Sequence, residues 1–379
     1  MGSVLDYLKW RADLRFSRDP FNDVDALILA MLSYLPFKGI VPGIDEREKI
    51  TLEETARRYF SKYPSHKDDP ENIDLTVSPS MDEGLMQILK ITSRSARFSE
   101  MRLSRFAEKT DFSAGQQFAA LTYHLPHAKR HQVIAFRGTD STLIGWKEDF
   151  ELAYMEKVPA QESASDYLSR QVSILSGKVT VCGHSKGGNL AVYAASRLKG
   201  IDRSRLSRVI SFDGPGFNFS LLPRSSFSDC ANKVINYVPE ESIVGVLLDT
   251  VGERKVITSS ARYLFQHNPL TWGVERSAFT GGELSDTAQL LEETVEAWLG
   301  KLSLERRKAF IDALFDVLGA SEGKTIDPKD GLKDLSKVIK NVSDLDEDTR
   351  KMLSEVLASI TDQARDAILK AIREKLLTK

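Results

Sequence analysis

Residues 179–196 read VTVCGHSKGGNLAVYAAS. An apolar, β-branched run from Val179 to Cys182 gives way to GHSKG, and that turn opens a stretch of small and apolar residues from Asn189 to Leu198. The order is strand, tight turn, helix. Gly183, Ser185 and Gly187 match G-x-S-x-G, the pattern in which a serine stands on a strained strand-to-helix turn with its hydroxyl exposed above a sheet. Three positions each near 7% give roughly 0.1 chance matches in a chain this long, so the flanking pattern carries the weight. A buried strand before it and a helix of small residues after it are what the turn requires, and Gly188, Ala191, Ala194 and Ala195 suit close helix packing.

Outward from this stretch the chain has three textures. Residues 1–110 read as an N-terminal helical region packing on the core. NDVDALILAMLSYLPF starts near Asn22 or Asp23 and ends before Pro36, LEETARRYFSKY and MDEGLMQILKI follow, and FSEMRLSRFAEKT continues the pattern. The helix with Leu27, Leu29 and Leu32 is expected to cover the sheet. Residues 111–284 hold QFAALTYHL, HQVIAFRGT, KVTVCGHS, LSRVISFDGPG, NKVINYV and ERKVITSSA, short turn-bounded strands alternating with helical runs. Such alternation predicts an α/β fold, and nearly continuous apolar runs such as VIAF and VTVC predict strands covered on both faces. Residues 285–379 read as a C-terminal helical extension. Ile311, Leu314, Phe315 and Leu318 form one stripe ending at Gly319, and Val356, Ile360, Ala364 and Ile368 form another, a possible protein-interaction surface.

Composition narrows the function classes. Lys plus Arg number 52 against 54 for Asp plus Glu, a formal charge of −2, so there is no basic excess to hold a nucleic-acid backbone. Two cysteines cannot by themselves make a four-ligand zinc site, no HExxH or CxxC occurs, and no cofactor is expected. The N-terminal residues lack an apolar signal core, and the longest apolar stretch, from Ala26, is too short for a transmembrane segment. A cytoplasmic location is expected.

A serine nucleophile needs a base, and on this kind of turn the base follows it in the chain. Of six histidines, His66, His124, His127, His131 and His184 come before Ser185, and His184 is adjacent to it. His267, in FQHNPLTW, is left. The acid that orients its imidazole should follow a later strand. Asp213 ends RVISFD, Glu240 and Glu241 follow VINYV, and Asp249 and Glu253 lie beyond. Oxyanion donors are expected from the Lys186 N–H and from Thr139 after VIAF, with Arg137 and Asp140 bracing that loop. Phe217, Phe219, Leu221 and Leu222 could line an acyl pocket or form a lid, though core packing is the favoured reading.

Taken together, AFRGTDSTLIGWKEDF, VCGHSKGGNLAVYAA, SFDGPGF, EESIVG and QHNPLTW resemble the Mbeg1-like family, which is similar to the class 3 lipases of the α/β-hydrolase superfamily. The likeness runs from about Asn22 to Leu318. It implies an α/β-hydrolase-like, mostly parallel sheet flanked by helices, with Ser185 as nucleophile, His267 as base and the Thr139 hydroxyl at the oxyanion. It favours Glu241 over Asp213 as the acid, although those lipases use aspartate. The expectation is a serine hydrolase cleaving an ester or related acyl bond, its substrate a small-molecule ester or a lipid. The alternatives are a thioesterase, acyltransferase or peptidase on the same residues, or a non-catalytic scaffold.

Overall fold

The computed structural model describes residues 2–64, 81–111, 116–126, 130–139, 151–152, 154–172, 177–286, 288–289, 292–293, 303–305 and 307–308. The stripes expected at 311–318 and 356–368, and Asp140, lie outside the described residues. The described strands form one eight-stranded sheet in sequence order. They are β1 (Ile50–Thr51), β2 (Arg102–Asp111), β3 (Gln116–His124), β4 (Gln132–Phe136), β5 (Val179–His184), β6 (Leu206–Phe212), β7 (Val234–Pro239) and β8 (Glu253–Ile257). Neighbours from β1 to β4 are antiparallel, and those from β4 to β8 are parallel. A two-stranded ribbon, β9 (Val274–Glu275) with β10 (Ala278–Phe279), stands apart.

Parallel strands laid down in order, each joined by a right-handed crossover, send every connection to the same face. Helix α5 (Pro159–Gln171) and helix α6 (Lys186–Arg197) lie on that face, over Ile134, Phe136, Val179, Val181 and Val209. The opposite face is left for the N-terminal helices: α1 (Val4–Arg11), α2 (Asp23–Leu32), α3 (Leu52–Lys62) and α4 (Met81–Arg94). There α2 crosses β4, β5 and β6, and Val133, Ala135, Cys182, Ile210 and Phe212 face it. Both sides of each central strand are therefore dry, which is why VIAF and VTVC lack polar alternation.

Nearly every residue of α2 is buried, as befits a helix with sheet beneath it and other helices outside it. Its start is fixed by a capping box. The Asn22 side chain accepts from the N–H groups of Val24 and Asp25, and the Asp25 carboxylate accepts the Asn22 N–H. The same carboxylate, fully buried, takes two bonds from Arg97, Nε at 2.8 Å and Nη2 at 2.5 Å, and one from the Tyr7 hydroxyl at 2.8 Å. Arg97 also donates to the carbonyls of Leu14, Asp19 and Pro20. One ion pair thus joins α1, α2 and the chain that enters β2.

The strands expected in the middle of the chain are all present. FSEMRLSRFAEKT is a correction: it is strand β2, not helix, from Arg102 onward. Its register slips between Ser104 and Ala107, and Arg105 stands at φ +60°. This bulge puts Leu103 and Phe106 into one core despite their three-residue spacing, so a strand carries the period of a helix.

Replacing Arg97 by Met should strand the Asp25 carboxylate in the core. We expect a loss of about 3–5 kcal/mol in urea unfolding. A loss below about 1 kcal/mol would show that the pair does not hold this layer together.

Candidate active site

Ser185 joins β5 to α6 with φ +58° and ψ −134°, a backbone conformation that L-residues rarely adopt. Holding a non-glycine residue there costs about 1–3 kcal/mol, a strain that clusters at functional sites. The neighbouring glycines make the turn possible by absence of volume. A Cβ on Gly183 would lie 2.2 Å from the Gly187 carbonyl carbon, one on Gly187 would lie 2.2 Å from the Phe136 oxygen, and one on Gly188 would lie 2.4 Å from Ser211 Oγ. Strand, helix and the end of β4 therefore meet around the serine at contacts that only glycine permits. The Ser185 N–H is anchored on the Phe212 carbonyl at 2.9 Å.

Asp213 follows β6, the strand beside β5. It too has positive φ, +50°, and its N–H reaches the Tyr237 carbonyl at 2.8 Å. Its carboxylate is buried and fully engaged. Oδ1 accepts the Ser242 hydroxyl at 2.5 Å and the Gly245 N–H at 3.1 Å, and Oδ2 lies 2.6 Å from His267 Nδ1. A carboxylate only accepts, so His267 carries its proton on Nδ1 and keeps Nε2 as the ring's acceptor. His267 ends a 3₁₀ turn, Tyr263–His267, beyond β8.

Glu241, the carboxylate favoured by family resemblance, is not the one at His267 Nδ1. It lies one strand farther from Ser185, past β7. Its N–H donates to Gln266 Oε1 at 2.9 Å, and its Oε2 accepts from Gln266 Nε2 at 3.3 Å. Glu241 holds the residue before the histidine, while Asp213 holds the histidine itself.

The loop after β4 runs against the serine. A Cβ on Gly138 would come within 3.0 Å of Ser185 Cβ and 2.4 Å of the His184 carbonyl. Thr139 is the next residue, and Arg137 braces the loop through Glu108 of β2 at 2.9 Å. Lys186 is the first residue of α6. Of the apolar set, Phe217 and Leu222 are core residues under α6 with Phe227, whereas Phe219 and Leu221 are half-buried. Phe219 lies beneath the Arg224 guanidinium at 4.2 Å.

Several supports escaped the sequence reading. Asn189 donates to the carbonyls of Pro215 and Gly216 and accepts from Gln161, tying α6 to the chain beyond Asp213 and to α5. The Trp272 indole donates to the Gln266 carbonyl at 2.6 Å. Asn189 was the one detectable signal, an amide within an otherwise small and apolar helix.

Among the described residues no cluster of three or more His, Cys, Asp or Glu is arranged to hold a metal, and no helix is long and apolar enough to cross a membrane. Cys182 and Cys230 are both buried free thiols.

A family model described as Mbeg1-like matches residues 92–316. No curated protein matches the chain. Among solved structures the chain is similar to the crystal structure of an M37 lipase, at 17% identity and a TM-score of 0.37, over 73% of this chain and 79% of that one. That likeness is too loose to bear on the site.

If the turn at Ser185 stores strain, Ser185→Gly should relieve it. We expect stabilisation of about 0.5–1 kcal/mol by thermal or urea unfolding. Destabilisation instead would mean that the hydroxyl, not the turn, is the costly feature to remove.

Proposed function

This chain belongs to the Mbeg1-like family by its match over residues 92–316, and on that footing we propose that it is a serine hydrolase that cleaves a carboxylic ester or related acyl bond. The observation that carries this reading is the 2.6 Å contact between His267 Nδ1 and a buried, otherwise saturated Asp213, beside a serine on a strained turn at the neighbouring strand end.

In this mechanism Ser185 Oγ attacks the acyl carbonyl carbon while His267 Nε2 takes the hydroxyl proton. Asp213 keeps the imidazole in the Nδ1–H tautomer and offsets the positive charge that the ring gains. The Lys186 N–H and the loop at Thr139 face the oxygen that becomes negative, and fixed donors at that point act where the charge appears. His267 then returns its proton to the leaving alcohol. Water, deprotonated by the same nitrogen, releases the acyl group from Ser185.

One exposed aromatic ring favours an acyl compound with a hydrocarbon part. Phe265, two residues before His267 on the same turn, is 63% exposed, and an apolar ring held open to solvent beside a reactive centre suits such a chain.

A fluorophosphonate probe tests the nucleophile. Wild type should label, Ser185→Ala should not, and His267→Ala should label far more slowly. Labelling that persists in Ser185→Ala would move the nucleophile elsewhere. For the acid, Asp213→Asn should lower kcat on an activated ester by about 10³–10⁴-fold, as loss of the tautomer-setting carboxylate does, and Glu241→Gln by less than about tenfold. The reverse ranking would hand the role to Glu241.

A further inference from the structure

His184 precedes the serine and ends β5, yet its side chain does not turn away from the site. Its ring lies 4.6 Å from that of His267, inclined by 36°. Its Nε2 is 2.8 Å from the His267 carbonyl oxygen, and its Nδ1 is 2.9 Å from the Tyr34 hydroxyl. A carbonyl can only accept, so Nε2 carries the hydrogen. Burial, reinforced by the neighbouring His267 ring, pushes the His184 pKa well below its ordinary value, which keeps the ring neutral. A neutral ring with hydrogen on Nε2 has its lone pair on Nδ1, so Tyr34 donates there. The bonds therefore run one way, from the Tyr34 hydroxyl to His184 Nδ1, and from His184 Nε2–H to the carbonyl of His267.

The chain of bonds also has a branch. Tyr34 lies just past the end of α2, and its hydroxyl occupies the space where a Gly138 Cβ would sit, only 2.1 Å from that point. One phenol thus touches both the loop beside the serine and the residue that grips the base. His267 needs such a grip because no strand carries it. Asp213 fixes its side chain at Nδ1, and the contact at its carbonyl fixes the main chain that carries that side chain.

We propose that His184 is a positioning residue for catalysis, holding the main chain of His267 through Nε2–H, with Tyr34 fixing the tautomer that makes this possible. The proposal rests on the Ser185–His267 reading above and adds two residues to it. Neither residue needs to touch substrate. The N-terminal helical layer then takes part in the reaction, because α2 delivers the phenol.

The test has two arms. With histidines labelled in ¹⁵N, long-range ¹H–¹⁵N correlation reads the tautomer of His184 directly. The Nε2–H form is expected in wild type, and the Nδ1–H form would overturn the proposal. In the second arm, fluorophosphonate rates and the kcat and KM for a p-nitrophenyl ester are measured on folded variants. His184→Leu should lower the labelling rate and kcat by about 10–100-fold with KM within about threefold, the pattern of a misplaced base. His184→Gln, whose amide can still donate to the carbonyl, should recover most of that loss. Equal losses in the Leu and Gln variants, or wild-type rates in His184→Leu, would defeat the proposal. Should His184→Leu fail to fold, Tyr34→Phe decides: a lower kcat with a mixed tautomer supports the strut, and a wild-type rate with an unchanged tautomer overturns it. A wild type that shows the Nε2–H tautomer but never labels at Ser185 would sink the hydrolase reading instead.

Discussion

The close approach of backbone to backbone around Ser185 is the constraint on which the rest depends. β5, α6 and the end of β4 come together so tightly that Gly183, Gly187 and Gly138 each lie where a single extra carbon would collide with a carbonyl or a hydroxyl. Interiors are packed as densely as organic crystals, so the positive φ of Ser185 cannot relax by shifting one neighbour. The strain is held by the whole centre of the sheet. The result is a hydroxyl fixed at the carboxyl ends of parallel strands, where open α/β sheets place their chemistry.

A sheet whose parallel strands follow sequence order is a one-sided object. Its crossover helices α5 and α6 share one face, and the other face must be covered by chain from elsewhere. Here α1 to α4 supply that cover, organised by the buried pair of Arg97 and Asp25. An ion pair in a dry core adds little net stability, because desolvation offsets most of its attraction, but it is costly to break and it has only one good geometry. It fixes α2 against α1 and the chain that enters β2. The other end of α2 brings Tyr34 to His184, so the register of a helix on the far side of the sheet is felt at the candidate base.

The turn that carries His267 shows the complementary strategy. It has no strand to lean on, and side chains take over the role of a ladder. Asp213 binds the imidazole, His184 the carbonyl of residue 267, Trp272 the carbonyl of residue 266, and Glu241 the Gln266 side chain. Donors aimed at two successive carbonyls leave the backbone little freedom to rotate. Phe265 stays open to solvent amid this bracing, an exposure that packing does not require.

Short-range pattern was enough for much of this molecule. The strands from β3 to β8, the start of α2 at Asn22 or Asp23 and the serine turn depend on residues a few positions apart, and these are visible in one dimension; the expectation of His267 as base rests on chain order alone. Where local spacing and local structure disagree, pattern misleads: the bulge at Arg105 gives β2 a helical period. The choice between Asp213 and Glu241 belongs to another class. Both carboxylates follow a strand of the same sheet, and nothing near either of them in the chain says which strand end lies nearer the imidazole. Only the assembled sheet, with β6 directly beside β5 and Gln266 already claiming Glu241, puts Asp213 against His267. A hydrogen bond reaches about 3 Å while the residues it joins here lie dozens of positions apart, so its partner is chosen by folding, not by sequence.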